Sequence, residues 1–74
     1  MSKLPAVSGR EAVRAFRRMG YHVDHQTGSH IILRHESAPY RRLTVPNHRE
    51  LAKGTLRSLV RQAGLTIEQF RELL

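Results

Sequence analysis

Ala12, Val13, Phe16 and Met19 fall on one side of a helical repeat, and Arg10, Arg14, Arg17 and Arg18 fall on the other. That spacing predicts an amphipathic helix. Ser8 and Glu11 make an S-x-x-E capping box at its start, Val7 and Ala12 can staple across it, and Gly20 supplies the stop. After Gly20 the period changes to alternation, with Tyr21, Val23 and His25 set against His22, Asp24 and Gln26. A second strand-like run, Ser29 to His35, carries Ile31-Ile32-Leu33, and Thr27-Gly28 between the two runs marks a β-hairpin. A third short strand, Arg42 to Val45, ends at Pro46, which has no N–H to give a ladder. Glu36 to Arg41, containing Ser37-Ala38-Pro39, is the loop before it.

The hairpin register decides which side chains share a face. A two-residue loop at Thr27-Gly28 sets His25 opposite His30 and splits the apolar set between faces. A three-residue loop, Gln26-Thr27-Gly28, pairs Val23 with Ile31 and Tyr21 with Leu33, and keeps one face apolar. The second register is the one expected here. It sets His30 opposite Asp24, away from the core, and turns Ile32 outward.

Beyond Pro46, Asn47 and Glu50 form a weaker cap-like pair. A helix is predicted from about Lys53 to Ala63, burying Leu56, Leu59, Val60 and Ala63 and aligning Lys53, Arg57 and Arg61 on another side. Gly64 ends it. Thr66 and Gln69 cap a final short helix with Ile67, Phe70 and Leu74 as its apolar stripe. There is no internal repeat and no low-complexity tract.

Seventy-four residues fit one domain, 1–74, whose stability is expected to be a few kcal/mol. The chain has no cysteine, which rules out disulfides, thiolate zinc sites and cysteine nucleophiles. Its five histidines lack carboxylate clusters at ligand spacing, so no metal site and no cofactor are expected. The segment from Met1 to Pro5 lacks the apolar stretch of a secretory signal, and no run approaches a membrane span; a cytoplasmic protein is expected. The formal charge is +7, and eleven of the thirteen cations are Arg, whose planar fork grips phosphate at two points. A polyanion is the natural partner, with nucleic acid first among them.

Helix, three strands, helix, with a basic surface, is the outline of a double-stranded-RNA-binding-type α+β domain: α-β-β-β-α, a three-stranded antiparallel sheet and here a short extra C-terminal helix. Gly28-Ser29-His30, Val45-Pro46-x-His48, Gly54-Thr55-Leu56-Arg57-x-Leu59 and Gly64-Leu65-Thr66, in that order, resemble the HicA toxins of bacterial HicAB toxin–antitoxin systems. The resemblance runs from about Val7 to Leu74. It implies a metal-independent endoribonuclease, an mRNA interferase, neutralised by a HicB-type antitoxin, with His30 at the position of the catalytic histidine.

The chemistry suits the residue. Cleavage of RNA by its own 2′-hydroxyl needs a base for that proton and an acid for the departing 5′-oxygen, and imidazole fills either role near neutral pH. Gly28, Ser29, Arg34, Arg41, Arg42 and Lys53 are the expected RNA-binding residues, the arginines meeting charge that develops on the phosphorus. Asp24 and His48 are the candidates for orienting the imidazole or serving as second acid or base. His22, His25 and His35 are expected to be surface or packing residues. Ser29 and His30 are neighbours on a strand and point to opposite faces, which argues against a Ser–His hydrolase pair. A non-catalytic RNA-binding module of the same fold is the alternative reading, and a protein-interaction domain with an acidic partner is a third.

Overall fold

A computed structural model of the chain describes residues 3–74; Met1 and Ser2, the start of the segment read for a signal sequence, lie outside the described residues. The order is α1 (Gly9–Arg17), β1 (Tyr21–Thr27), β2 (His30–His35), β3 (Arg42–Pro46), α2 (Lys53–Gln62) and α3 (Ile67–Leu73). The strands form one antiparallel sheet in the order β1-β2-β3. The expected α+β fold, with its extra C-terminal helix, is the fold observed.

The capping box forms as the sequence predicts. Ser8 Oγ accepts from Glu11 N–H at 3.0 Å, and a Glu11 carboxylate oxygen accepts from Ser8 N–H at 2.8 Å. The backbone hydrogen bond from Ser8, then its side-chain bond, holds the Glu11 carboxyl below its ordinary 4.5, against a small opposing desolvation. A carboxyl depressed in the folded state stabilises that state above its unfolded pKa and stops doing so as pH falls through the folded value. Glu11→Ala is therefore expected to melt below wild type at pH 7, and the gap should close as melting is repeated at successively lower pH beneath 4.5. A gap that persists unchanged in acid would assign the effect to something other than the carboxylate.

All three helices close over one side of the sheet. Ala12, Phe16, Leu56, Leu59, Val60 and Phe70 pack there against Tyr21, Ile31, Leu33, Leu43 and Val45. Phe16 lies against Phe70 with ring centroids 5.2 Å apart, joining the first and last helices, and an Arg18 guanidinium N–H donates to Leu73 O at 2.8 Å across the same seam. No helix is long and apolar enough to cross a membrane among the described residues.

Four local expectations are corrected. The hairpin turn is Gly28-Ser29, with Gly28 at φ 49° and Thr27 opposite His30, so neither proposed register occurs. A β-bulge between Val23 and His25 inserts one residue, so Val23 pairs with Leu33 and His25 with Ile32. Uninterrupted alternation was the assumption that failed. Val23 shares the face of Leu33 but stays 42% exposed at the sheet edge, and Gln26, not Val23, is opposite Ile31. Ile32 does turn to the other face, yet it is only 4% exposed on the central strand. Asn47 and Glu50 do not cap α2: its N-cap is Ala52, without a side-chain hydrogen bond, while Asn47 N–H donates to Ser29 O. In α3 it is Leu73 that packs with Ile67 and Phe70, whereas Leu74 is 47% exposed.

Candidate RNA-cleaving site

Directly paired residues share a face, so the register lists the side chains opposite the helices. Thr27, His30 and Pro46 form one row; His25, Ile32 and Thr44 the next; His22, Arg34 and Arg42 the third. Among the described residues no helix packs on this side, and its margins are exposed. The result is an open face carrying three imidazoles and two guanidinium groups.

His30 opens β2 with its ring exposed, in the row nearest the hairpin turn. Gly28 and Ser29 are that turn. Ser29 O accepts from Asn47 N–H at 2.6 Å, and His48 O accepts from Gly9 N–H at 2.9 Å, so the turn, the exit of β3 and the start of α1 are tied together at this end. His48 is exposed and contributes its backbone here. Lys53 is the first residue of α2 and is also exposed.

The arginines divide. Arg34 and Arg42 face one another across β2 and β3, about 13 Å along the strand from His30 at ~3.3 Å per residue. Arg34 also donates to Tyr40 O at 3.3 Å. Arg41, expected beside them, turns to the helical side: its guanidinium donates to Gln62 O at 3.1 Å at the end of α2. Its charge also acts on Tyr21, whose hydroxyl is nevertheless pushed above its ordinary value by burial. Tyr21, His35 and Arg41 help line a cleft of about 170 Å³. His35 is a packing residue, as expected. Ser37 N–H donates to its Nδ1 at 3.0 Å, which leaves Nε2 as the donor to Met19 O at 2.8 Å.

Asp24 is not opposite His30. It occupies the bulge, and its Oδ2 accepts from His25 Nδ1–H at 2.8 Å. That hydrogen bond, followed by the charges of His25, Arg34 and His22, holds the carboxyl below its ordinary range, with desolvation opposing. His25 is at the surface, as expected, but its contact with Asp24 is not expected, because strand neighbours normally point apart. The bulge removes that rule for Asp24 and His25, and nothing in simple alternation signals it.

Residues 9–65 match the sequence model of the HicA toxin of bacterial toxin–antitoxin systems. The chain belongs to the HicA toxin family. A comparison with curated proteins returns no match. The matched segment starts at the first residue of α1 and ends just beyond α2, so it spans the whole sheet, His30 and both arginines of the open face. This HicA-family chain is thus a toxin of the toxin–antitoxin class, made to meet an antitoxin, and α3 adds Phe70 to the core from outside the matched segment.

Proposed function

We propose that this HicA-family toxin is an endoribonuclease that cleaves mRNA in the cytoplasm, without a metal ion, using His30 for proton transfer. The observation that carries the reading is the exposed His30 ring on a helix-free face that also presents Arg34 and Arg42. The two guanidinium groups, adjacent and of like charge, bind the phosphates of a single RNA strand laid along β2. Gly28, Ser29 and Lys53 meet the strand at the hairpin end. His30 exchanges a proton with the 2′-hydroxyl or the leaving 5′-oxygen of the nucleotide lying over it. Arg41 is left out of this interface because its guanidinium lies on the helical side of the sheet, where it donates to Gln62 O. A HicB-type antitoxin neutralises the toxin by covering the open face with acidic residues, which compete with phosphate for the same arginines.

Purified protein incubated with a mixed RNA in excess chelator is expected to cut it. An RNA with a single deoxyribose at a mapped cut site should resist at that position alone, because the attacking hydroxyl is missing. RNA bound but left intact would make the protein a non-catalytic RNA-binding module, and loss of cutting in chelator would refute metal independence.

A further inference from the structure

Cleavage through a 2′-hydroxyl needs two proton transfers, and one imidazole cannot be base and acid in the same step. The open face holds a second imidazole within reach of the first. His25 pairs with Ile32, and His30 lies two residues from Ile32 on the same strand and face. The two histidines are therefore diagonal neighbours, about 7–8 Å apart between Cα atoms. The side chain of His25 is 50% exposed and that of Asp24 39%. Their mutual 2.8 Å hydrogen bond uses Nδ1 and leaves His25 Nε2 without a hydrogen bond among the described residues.

The geometry points to His25, oriented by Asp24, as the general base that complements His30 in the proposed RNA cleavage; it rests on that proposed function. With Nδ1–H given to the carboxylate, the lone pair of His25 sits on Nε2, turned away from Asp24. Nε2 takes the 2′-hydroxyl proton as the 2′-oxygen forms its bond to phosphorus. The bond from phosphorus to the 5′-oxygen breaks, and that oxygen leaves with a proton from His30. The products are a 2′,3′-cyclic phosphate and a free 5′-hydroxyl, with one proton moved from His30 to His25 in net. Asp24 is a positioning residue: it sets the tautomer and stabilises the imidazolium that forms. Among the described residues, the charged and titratable groups facing His25 are Asp24, His22, Arg34 and His30, all on the sheet, because no helix there packs against this side.

The test uses the full chain and two substrates, an RNA and a ribonucleotide 3′-(4-nitrophenyl phosphate), whose leaving group departs without an acid. His25→Ala is expected to slow both by about a hundredfold or more and to remove the acid-side limb of the pH–rate profile. His30→Ala should slow RNA cleavage comparably but regain most of its rate on the nitrophenyl substrate. Asp24→Asn should lower the RNA rate by about tenfold, since an amide that donates to Nδ1 moves the ring proton to Nε2. Circular dichroism and RNA affinity should stay at wild-type values for all three. A His25→Ala protein that cuts RNA at the wild-type rate with both limbs intact overturns the assignment while leaving His30 and the nuclease reading standing. Equal loss on both substrates for both histidine variants, with the pH profile unmoved, also overturns it. If the wild-type protein does not cut RNA at all, the proposed function fails and this inference with it.

Discussion

His30→Ala is expected to yield a folded protein that still binds RNA but cleaves it about a hundred- to ten-thousand-fold more slowly. Folding survives because the ring is exposed and sits outside the apolar cluster that joins the sheet to the helices. Truncating it opens no cavity in that cluster and breaks no side-chain hydrogen bond seen among the described residues, the two routes by which a single substitution usually costs most. Binding survives because the phosphate contacts are assigned to Arg34 and Arg42, two rows away on the same face. Cleavage rates on a defined RNA, with affinity measured in parallel, check all three parts. Growth arrest on expression should disappear with the same substitution. A variant that cuts within threefold of wild type would remove His30 from the mechanism.

Gly9→Ala should be the most damaging of the five glycine-to-alanine changes, because it meets the shortest contact and meets it at backbone. A Cβ at Gly9 would overlap the Pro46 carbonyl oxygen and come within 3.1 Å of Asn47 Cα, and both are backbone atoms with no rotamer to yield. The helix start is also held in place by Gly9 N–H donating to His48 O at 2.9 Å, so neither partner can back away without breaking that bond. Overpacking of this kind costs about 3 kcal/mol, which for a domain of this size lowers Tm by roughly 12 °C or more. Gly54→Ala provides the contrast. Nothing lies within 4 Å of a Cβ there, and the residue is already in α2, so helix propensity alone should raise stability by up to about 1 kcal/mol. Thermal melts of the two variants should move in opposite directions. The Gly9 junction also bears on the site, because Asn47 N–H holds Ser29 O one residue before His30. Partial unfolding at that junction is therefore expected to loosen the hairpin turn along with α1.

The division between what was legible in the sequence and what was not follows the range of the forces. The capping boxes at Ser8–Glu11 and Thr66–Gln69 are contacts over three residues, set by local sequence, and both appear in the structure. The helical stripes of α1 and α2 and the apolar run Ile31-Ile32-Leu33 report burial through their period, and their elements followed to within a residue or two. The exposure of His30 needed only the knowledge that it precedes a core-facing Ile31 on a strand.

Everything that depended on where two distant segments meet was decided by tertiary structure. Asn47 looked like a helix cap but gave its N–H to Ser29, because β3 exits beside the hairpin turn. Arg41 looked like its neighbours Arg34 and Arg42, yet α2 ends near it and takes its guanidinium away from the open face. One inserted residue in β1 shifted half the hairpin register and brought Asp24 and His25 together. A bulge costs little locally and its placement depends on how the whole sheet buries its apolar face, so alternation along β1 carries no trace of it. The sequence by itself therefore determined the order of elements, the basic character and the histidine at the head of β2. The partners of its charged and titratable side chains were settled only when three strands and three helices closed on one core.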